Sequence, residues 1–301
     1  MSHPPAPAAT GPRASAQDTG LGIKLMVATT LVFAGQDAIS RHLASEYNVL
    51  MVVMIRYWVF ALFVVALAAR QPGGLRRATA SRRPGLQVLR GVLLAAEICI
   101  AVVGFVLLGL IGAHAIFAAY PLIVAALSGP VLGERVGWRR WTAIAIGFVG
   151  VLILLSPGGG VFGPAALVPL AAAVMFAVYS LLTRKVGEYD APGVSFFWTG
   201  TVGAVAMTAV GIWFWEPMAP RDWGWMALLC GTAILGHWLL IRAYAVAEAG
   251  AIQPFSYLHL VWVAGFGVMI FGEVITLHLL AGAAVVVGAG LFTLWRERQR
   301  A

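Results

Sequence analysis

Carboxyl and imidazole side chains occur inside stretches of this sequence that are otherwise apolar. Glu97 and His237 stand near the middle of two such stretches, and Asp37 and His259 stand in two others. An ionisable group in an apolar segment of this length is costly, so it requires either a partner or a function. A carboxylate would accept an ammonium group or a proton, and a histidine would donate hydrogen bonds or exchange a proton. The competing explanation is structural, because Ser, Thr, Asn, Gln and His also tie helices together.

A zwitterionic amino acid is a ligand that these residue types suit. Its ammonium group needs an acceptor, for which Glu97 or Asp37 would serve. Its carboxylate needs donors, and its side chain needs an apolar or aromatic wall. The predicted donors are Gln253, His237, His259 and Tyr257, the predicted wall is Trp238, Tyr179, Phe117 and Tyr244, and Gln36, His114 and Tyr120 complete the predicted substrate-binding set. We predict no catalytic residue, no metal ligand and no cofactor.

The elements that carry these residues are membrane-spanning helices by composition. Hydrophobic residues make up 61% of the 301 residues and charged residues 11%, whereas a soluble protein has about 25% charged residues. Apolar stretches of about 18–24 residues recur along the chain, and each is long enough to cross a bilayer core of about 30 Å. We predict ten spans, at 21–43, 49–69, 87–108, 113–132, 139–156, 164–183, 193–215, 223–246, 251–271 and 277–295.

Basic residues set the predicted orientation. If the N-terminus is cytoplasmic, all but three of the twenty Lys and Arg residues fall on the cytoplasmic side, and Arg41, Arg56 and Arg221 fall on or toward the other. An excess of Lys and Arg is the mark of cytoplasmic segments. The chain is therefore predicted to be N-in and C-in, a multi-pass protein of a bacterial inner membrane. The net charge of +8 serves this orientation, and no nucleic-acid partner is predicted.

The chain contains two similar halves. Adding 139 to the residue number converts the turn Leu132-Gly133-Glu134 into Phe271-Gly272-Glu273, and an offset of 143 aligns Phe33 to Arg41 with Phe176 to Arg184. Each half holds five spans, an odd number, so the second half must enter the membrane upside down. Inverted repeats of this kind build transporters that bind substrate near the midplane between the copies. The predicted fold is an all-α membrane protein of ten transmembrane helices in two inverted five-helix repeats, with a disordered cytoplasmic tail at 1–19, repeats at 20–157 and 161–296, and a cytoplasmic tail at 297–301.

The alignment of the two halves places polar residues at corresponding positions. His114 aligns with Gln253, Tyr120 aligns with His259, and Glu97 aligns with the residue before His237. This recurrence favours a shared polar site over scattered contacts between helices.

Two expectations concern individual charges. Glu134 and Glu273 each follow a glycine that can end a helix in the left-handed conformation, and each is expected to favour the positive end of the helix that follows it. Arg56 lies about seven residues into its span, too deep to reach the surface easily. An ion pair with Asp37 or Glu46 is expected, in preference to the alternative that Arg56 contacts the substrate.

The two turns also carry a family resemblance. Pro121 lies thirteen residues before Glu134 and Ala143 nine after it, while Gly282 lies nine after Glu273 and Leu260 stands at the second proline position. This spacing resembles the drug/metabolite transporter superfamily in its EamA-type branch, over about residues 20–296. The segment Gln253-Pro254-Phe255-Ser256-Tyr257 and the aromatic content are similar to the YddG-type amino-acid exporters. The resemblance implies alternating access through a cavity lined by the first, third, fourth, sixth, eighth and ninth spans.

The resulting prediction is a secondary transporter, not an enzyme, that exports aromatic and other neutral amino acids across the bacterial inner membrane. Its partners would be the amino acid and the lipid bilayer, and a monomer is compatible with the sequence. The alternative within the same fold is an exporter of small cationic drugs or other metabolites, for which Glu97 alone would serve. An ATP-driven pump would need a phosphate-binding loop, which the sequence lacks. An intramembrane enzyme would need a nucleophile–base pair or a metal set such as His-Glu-x-x-His, and the sequence has neither. Proton coupling and facilitated diffusion both fit the same residues.

Overall fold

The computed structural model describes residues 18–133, 137–154, 163–247 and 252–298. Side chains are described throughout these ranges except at positions 132, 139, 140, 154, 241, 244, 245, 253, 254, 293, 294 and 296–298. The described chain is helical and contains no strand. Its α-helices are α1 (Thr19–Glu46), α2 (Val49–Arg70), α3 (Gly74–Thr79), α4 (Pro84–Phe117), α5 (Tyr120–Leu132), α6 (Trp138–Leu154), α7 (Leu167–Gly187), α8 (Pro192–Gly211), α9 (Asp222–Val246), α10 (Leu258–Phe271) and α11 (Leu277–Arg298), and its 3₁₀ helices are Pro164–Ala166, Ile212–Phe214 and Gln253–Tyr257.

Ten helical segments in this part of the chain are apolar. Six of them are long and apolar enough to cross a membrane, namely Thr19–Glu46, Val49–Arg70, Pro84–Phe117, Pro164–Gly187, Pro192–Phe214 and Asp222–Leu240. Four shorter ones cover Tyr120–Val131, Trp141–Ile153, Phe255–Phe271 and Leu277–Phe292. Nine of them overlap one predicted span each, and Pro84–Phe117 covers the third predicted span and the start of the fourth. That all ten cross the membrane stays a prediction, and so does the N-in orientation.

The fourth predicted span is built differently from the expectation. The helix α4 continues from Pro84 through the expected loop to Phe117, with one break at Gly109, where φ is 74° and ψ is 168°. Glycine tolerates this left-handed conformation because it has no Cβ atom. A turn at Ala118 and Ala119 follows, and α5 begins with Pro121 in its first turn. Proline is accepted there because the first turn of a helix has no internal acceptor for its missing N–H.

Helices of the two halves pack against each other in reciprocal pairs. α1 packs on α9 and α7 packs on α4, and these two contacts exchange places when the halves are exchanged. α2 packs on α8 and α6 packs on α11. Each of these two pairs joins equivalent helices of the two halves, so exchanging the halves leaves the pair unchanged. Two similar halves around a twofold axis produce this pattern. The packing therefore supports the predicted duplication, while the opposite sense of the two halves in the membrane stays a prediction.

The close approach of α2 and α8 depends on glycine. A methyl group at Gly203 of α8 would lie 2.0 Å from Cε1 of Tyr57, a buried residue of α2. A methyl group at Gly200 would lie 3.0 Å from a methyl of Val64, one turn along the same contact. Small residues allow helices in a membrane to approach closely and gain van der Waals contact.

Gly203→Ala is therefore expected to destabilise the protein by about 1–3 kcal/mol, because the added methyl displaces the Tyr57 ring from a packed site. The measurement is the midpoint of thermal unfolding in detergent micelles. Gly231→Ala on α9 is the matched control, since no neighbouring atom lies within 4 Å of the added methyl. Its midpoint should stay the same or rise, because alanine favours helix. Equal midpoints for the two variants would contradict the packing argument.

Asp190, in the turn between α7 and α8, holds the segment that leads into α4. Its carboxylate accepts hydrogen bonds from the hydroxyl of Ser81, the backbone N–H of Arg82 at 2.8 Å and the amide of Gln87 at 2.9 Å. Burial acts to raise the pKa of the Asp190 carboxyl, but these three donors act in the opposite direction, and the net pKa lies below its usual value.

Asp190→Asn is expected to lower the unfolding midpoint at neutral pH. The folded-state pKa of Asp190 is depressed, so its contribution is present above the pKa of the unfolded chain and is lost as pH falls through the folded pKa. The difference between the wild type and the variant should therefore shrink from about pH 5 downward. Glu188→Gln, an exposed change two residues away, is the control. A difference that does not vary with pH would show that the carboxylate charge is not involved.

Candidate functional site

Glu273 stabilises the broken end of α4. The backbone N–H groups of Leu110 and Ile111 follow the break at Gly109 and donate to the Glu273 carboxylate at 2.7 Å and 2.8 Å. The first N–H groups of a helix have no internal acceptor and carry a partial positive charge, so a carboxylate satisfies both needs. We call residues 110–117 the short arm of α4.

Arg41 of α1 completes this contact. Its guanidinium forms an ion pair with Glu273 and lies 3.9 Å from the centre of the Phe271 ring. Glu273 therefore ties α1, the short arm and the end of α10 together. We call this side of the bundle the outer end, after the predicted orientation.

The helix end that Glu273 stabilises is not the predicted one. Glu273 does not stabilise the helix that follows it in sequence but the start of the short arm, in the other half of the chain. The hydroxyl of Thr276 already accepts the N–H of Leu279 in the first turn of α11. Glu134, the counterpart of Glu273, lies outside the described residues.

One helical turn further in, Asp37 of α1 contacts two histidines. Its Oδ2 atom lies 3.0 Å from Nε2 of His114, on the short arm, and 3.1 Å from Nε2 of His259, on α10. The His114 contact is aligned as a hydrogen bond, whereas the His259 contact is a close approach without that alignment. The two imidazole rings meet edge to face at 4.9 Å, and Phe105 stacks on His114 at 4.7 Å.

The donor atoms of Asp37, His114 and His259 all lie within 4.8 Å of one another, a spacing that a metal-binding set also has. In a metal site the donors point at a shared centre. Here Nε2 of His114 points at the carboxylate oxygen itself, and its Nδ1 is hydrogen-bonded to the Leu110 carbonyl at 3.0 Å. The geometry of His114 and Asp37 is that of a hydrogen-bonded imidazole–carboxylate pair.

A second group of charges lies on α4 and α2. Glu97 is 4% exposed and Arg56 is 6% exposed. Within the described ranges neither side chain makes a hydrogen bond or an ion pair. The charge of Arg56 nevertheless lies close enough to act on Glu97. An uncompensated buried charge is strongly destabilising, so a partner that arrives from outside is the natural explanation for both.

The expected ion pair of Arg56 with Asp37 or Glu46 is wrong for the part of the chain that the structure describes. Asp37 faces the two histidines instead, and Glu46 is exposed at the end of α1. The position of Arg56 along the sequence does not show which side chains face it, because that depends on how α1 and α2 are rotated about their axes.

His237 lies beside this second group. Its Nδ1 donates to the Ala233 carbonyl at 2.8 Å, and its ring packs against Phe33 at 5.3 Å and Phe60 at 5.6 Å. These contacts bring α1, α2 and α9 together around one imidazole.

A row of four aromatic rings runs between α4, α5 and α7. Phe117 contacts Tyr120 at 5.4 Å and Phe176 at 5.5 Å, and Phe176 contacts Tyr120 at 5.0 Å and Tyr179 at 5.8 Å. Phe117 also meets the ring of His114 at 6.2 Å. The row therefore starts beside the Asp37 cluster. Phe176 was missed by the sequence analysis, although its alignment with Phe33 was a signal for it.

Arg90 anchors the other end of the row. It is 2% exposed and donates to the Tyr179 hydroxyl at 3.2 Å, to Gln87 at 2.9 Å and to the Ser195 carbonyl at 2.6 Å. From sequence, Arg90 was used only as one of the basic residues that indicate the cytoplasmic side. Its place six residues inside an apolar helix was the available signal.

The remaining predicted site residues are scattered. Gln36 is buried, and its Oε1 has no hydrogen-bond partner among the described residues. The ring of Tyr257 is partly buried at the start of α10, and its hydroxyl is also unpaired in the described chain. Trp238 is 48% exposed on the outside of α9, away from both groups of charges. The side chains of Tyr244 and Gln253 lie outside the described residues.

A bundle of apolar helices from two similar halves, with charges and aromatic rings buried between them, is the architecture of a membrane transporter for small solutes. The sequence profile of the EamA-like transporter family matches residues 20–156 and again residues 163–295. The chain belongs to this family. It is a multi-pass transporter of the bacterial inner membrane and not an enzyme.

Three relatives of known name align with this chain over most of both sequences. The riboflavin transporter of Vibrio cholerae is 27% identical, covering 92% of this chain and 94% of that protein. The S-adenosylmethionine uptake transporter of Rickettsia prowazekii is 24% identical, covering 87% and 88%. The pseudopaline exporter of Pseudomonas aeruginosa is 24% identical, covering 89% and 94%. One crystal structure shares the fold, with a TM-score of 0.65 and 16% identity over 94% of this chain and all of that one.

Glu273→Ala is expected to destabilise the protein by about 2–4 kcal/mol, because it leaves two N–H groups and the Arg41 guanidinium without their acceptor. Unfolding midpoints in detergent micelles measure the effect. Glu273→Gln keeps one acceptor oxygen and should lower the unfolding midpoint by less than Glu273→Ala does. Glu188→Ala, at an exposed glutamate in the α7–α8 turn, is the control. A loss at Glu273 no larger than the loss at Glu188 would rule out the capping role.

Proposed function

We propose that this chain transports a small zwitterionic α-amino-acid metabolite that carries an aromatic ring. The observation that supports the proposal is the pair of buried, unpartnered charges, Glu97 on α4 and Arg56 on α2. The two halves of the bundle are proposed to alternate around this cargo, as inverted repeats do in other transporters.

The charges of the cargo complement those of the protein. An α-amino acid carries an ammonium group, which Glu97 would accept, and a carboxylate, which Arg56 would bind with its fork of N–H donors. The bound complex is then neutral, and both buried charges gain a partner. Asp37, the other acceptor considered from sequence, faces two histidines and is not available to an ammonium group.

The row of Phe117, Tyr120, Phe176 and Tyr179 supplies the proposed wall for the ring of the cargo. Aromatic rings pack favourably edge to face or offset at 4.5–7 Å, which is roughly the spacing within the row. The hydrogen bond from Arg90 fixes Tyr179 at one end and the contact with His114 places Phe117 at the other.

The names of the relatives agree with this class in part. S-adenosylmethionine is an α-amino acid that carries a flat adenine ring, as phenylalanine and tryptophan carry flat rings. Riboflavin has a flat ring but no α-amino acid group, so it would use the aromatic row without the charged pair. A cation without a carboxylate, the alternative considered from sequence, would leave Arg56 unpaired and would be repelled by it.

Glu97→Gln and Arg56→Gln are each expected to slow counterflow of labelled phenylalanine or S-adenosylmethionine at least about tenfold, because each removes a charge-assisted hydrogen bond to the cargo. Counterflow is measured in proteoliposomes that hold the unlabelled compound. Riboflavin and a quaternary ammonium compound are measured in parallel.

The controls are Glu188→Gln and Arg76→Gln, which change exposed residues of the same types and should leave counterflow unchanged. Purified variants must elute as single peaks, so that lost transport is not lost folding. Unchanged counterflow of both amino acids in both variants would refute the proposal. Transport of the quaternary ammonium alone, with dependence on Glu97 alone, would favour the cationic alternative.

A further inference from the structure

His114 has a hydrogen-bond acceptor at each ring nitrogen. Its Nδ1 lies 3.0 Å from the Leu110 carbonyl oxygen, and its Nε2 lies 3.0 Å from Oδ2 of Asp37. A carbonyl oxygen only accepts hydrogen bonds, and so does an ionised carboxylate. A neutral imidazole has a single N–H and cannot donate to both. The pair therefore holds one additional proton, either on the imidazole or on the carboxyl group.

His259 places a third group at the same oxygen. Its Nε2 lies 3.1 Å from Oδ2 of Asp37 and has no aligned hydrogen bond. A second imidazole beside one carboxylate oxygen gives the proton another position within the cluster. His114 belongs to the first half of the chain and His259 to the second, so the proton lies where the two halves meet.

The proton is also linked to the closure of the outer end. Asp37 and Arg41 lie one helical turn apart on α1, and Leu110 and His114 lie one turn apart on the short arm. The two elements are therefore tied at two levels, by the Asp37–His114 hydrogen bond and by Glu273, which binds Arg41 and the Leu110 N–H. Without the additional proton, His114 has one N–H for two acceptors. Where Nδ1 keeps that hydrogen for the Leu110 carbonyl, the lone pair on Nε2 faces the carboxylate and the inner tie becomes repulsive.

We propose that the cluster of Asp37, His114 and His259 is the proton-coupling site of this transporter. Binding of one proton holds α1 against the short arm and closes the outer end, and its release allows that end to open. The proposal goes beyond the class of cargo and does not depend on it, because the contacts on which it rests are present without substrate.

Other charged groups surround the cluster and must be separated from it. Glu273 is a second carboxylate that ties α1 to the short arm, and loss of its charge would break these contacts and open the outer end, which is the opposite of the effect expected for the cluster. Glu97 and Arg56 lie on α4 and α2, and the charge of Asp37 acts on Glu97. Within the described residues, other charged or titratable groups on the elements packed against the cluster include His237 on α9, Arg41 on α1 and Tyr257 just before α10.

The test is a distance measurement between spin labels at the outer end. Labels are attached to cysteines introduced by Ser45→Cys, at the exposed end of α1, and Val274→Cys, which is exposed beyond α10. Cys99 and Cys230 are replaced by alanine, and the full chain is studied in detergent micelles without substrate. A single short distance is expected at about pH 5, and a longer one should gain population as pH rises toward about pH 9, through the range in which histidine clusters titrate.

Asp37→Asn should hold the short distance at every pH. The Asn amide donates to Nε2 of a neutral His114, whose Nδ1–H still donates to Leu110, so no additional proton is needed. His114→Gln removes the imidazole ring and should also abolish the pH response. It is the substitute test variant if Asp37→Asn does not fold. His42→Gln, a histidine near the end of α1 and outside the cluster, is the matched control and should keep the wild-type response.

Three results would overturn the proposal. The first is a pH response that persists in both Asp37→Asn and His114→Gln. The second is opening as pH falls, which would assign the response to Glu273. The third is closure that requires added Zn²⁺ and is abolished by a chelator, which would make the cluster a metal site. Because no cargo is used, each of these results is distinct from a failure of the proposed amino-acid transport.

Discussion

The carboxylate of Glu273 sits where three helices of this bundle must meet. A transporter needs a helix that is broken inside the membrane region, and a broken helix exposes N–H groups that lipid cannot satisfy. Glu273 supplies their acceptor, and Arg41 neutralises the charge that this acceptor brings. The positive φ at Gly109 makes the arrangement possible, because a Cβ atom there would lie 2.6 Å from the carboxylate. The orientation of the short arm, and with it of His114, follows from this contact.

Two groups of buried charge are arranged around that frame, and they differ in how they are satisfied. Asp37 is hydrogen-bonded to His114 and lies close to His259, which suits a group that keeps its place and exchanges a proton. Glu97 and Arg56 have no such partners in the described chain, which suits groups that bind a solute. The aromatic row connects the two regions, since Phe117 touches His114 and Tyr179 is held by Arg90. Proton and cargo would therefore occupy neighbouring but separate positions.

Family membership accounts for the fold more completely than for the cargo. Relatives at 24–27% identity carry names that refer to S-adenosylmethionine, riboflavin and pseudopaline, so one bundle serves solutes of different charge. The features shared by such proteins are the paired halves and the helix packing. Discrimination between cargoes has to come from side chains rather than from the fold, and Glu97 and Arg56 are the ones proposed here.

The sequence by itself determined the class of the protein, the position of its helices and its two similar halves. These properties depend on hydropathy and on spacing along the chain, which are local and can be read residue by residue. The depth of Glu97, Asp37 and Arg56 in the membrane stays a prediction from the same pattern. Only the tertiary structure decided which of these charges meet: Arg41 pairs with Glu273 across 232 positions, and Asp37 meets histidines from both halves. It also turned Trp238 outward, because the face that a helical residue presents depends on the rotation and packing of its helix, which no single segment of the chain contains.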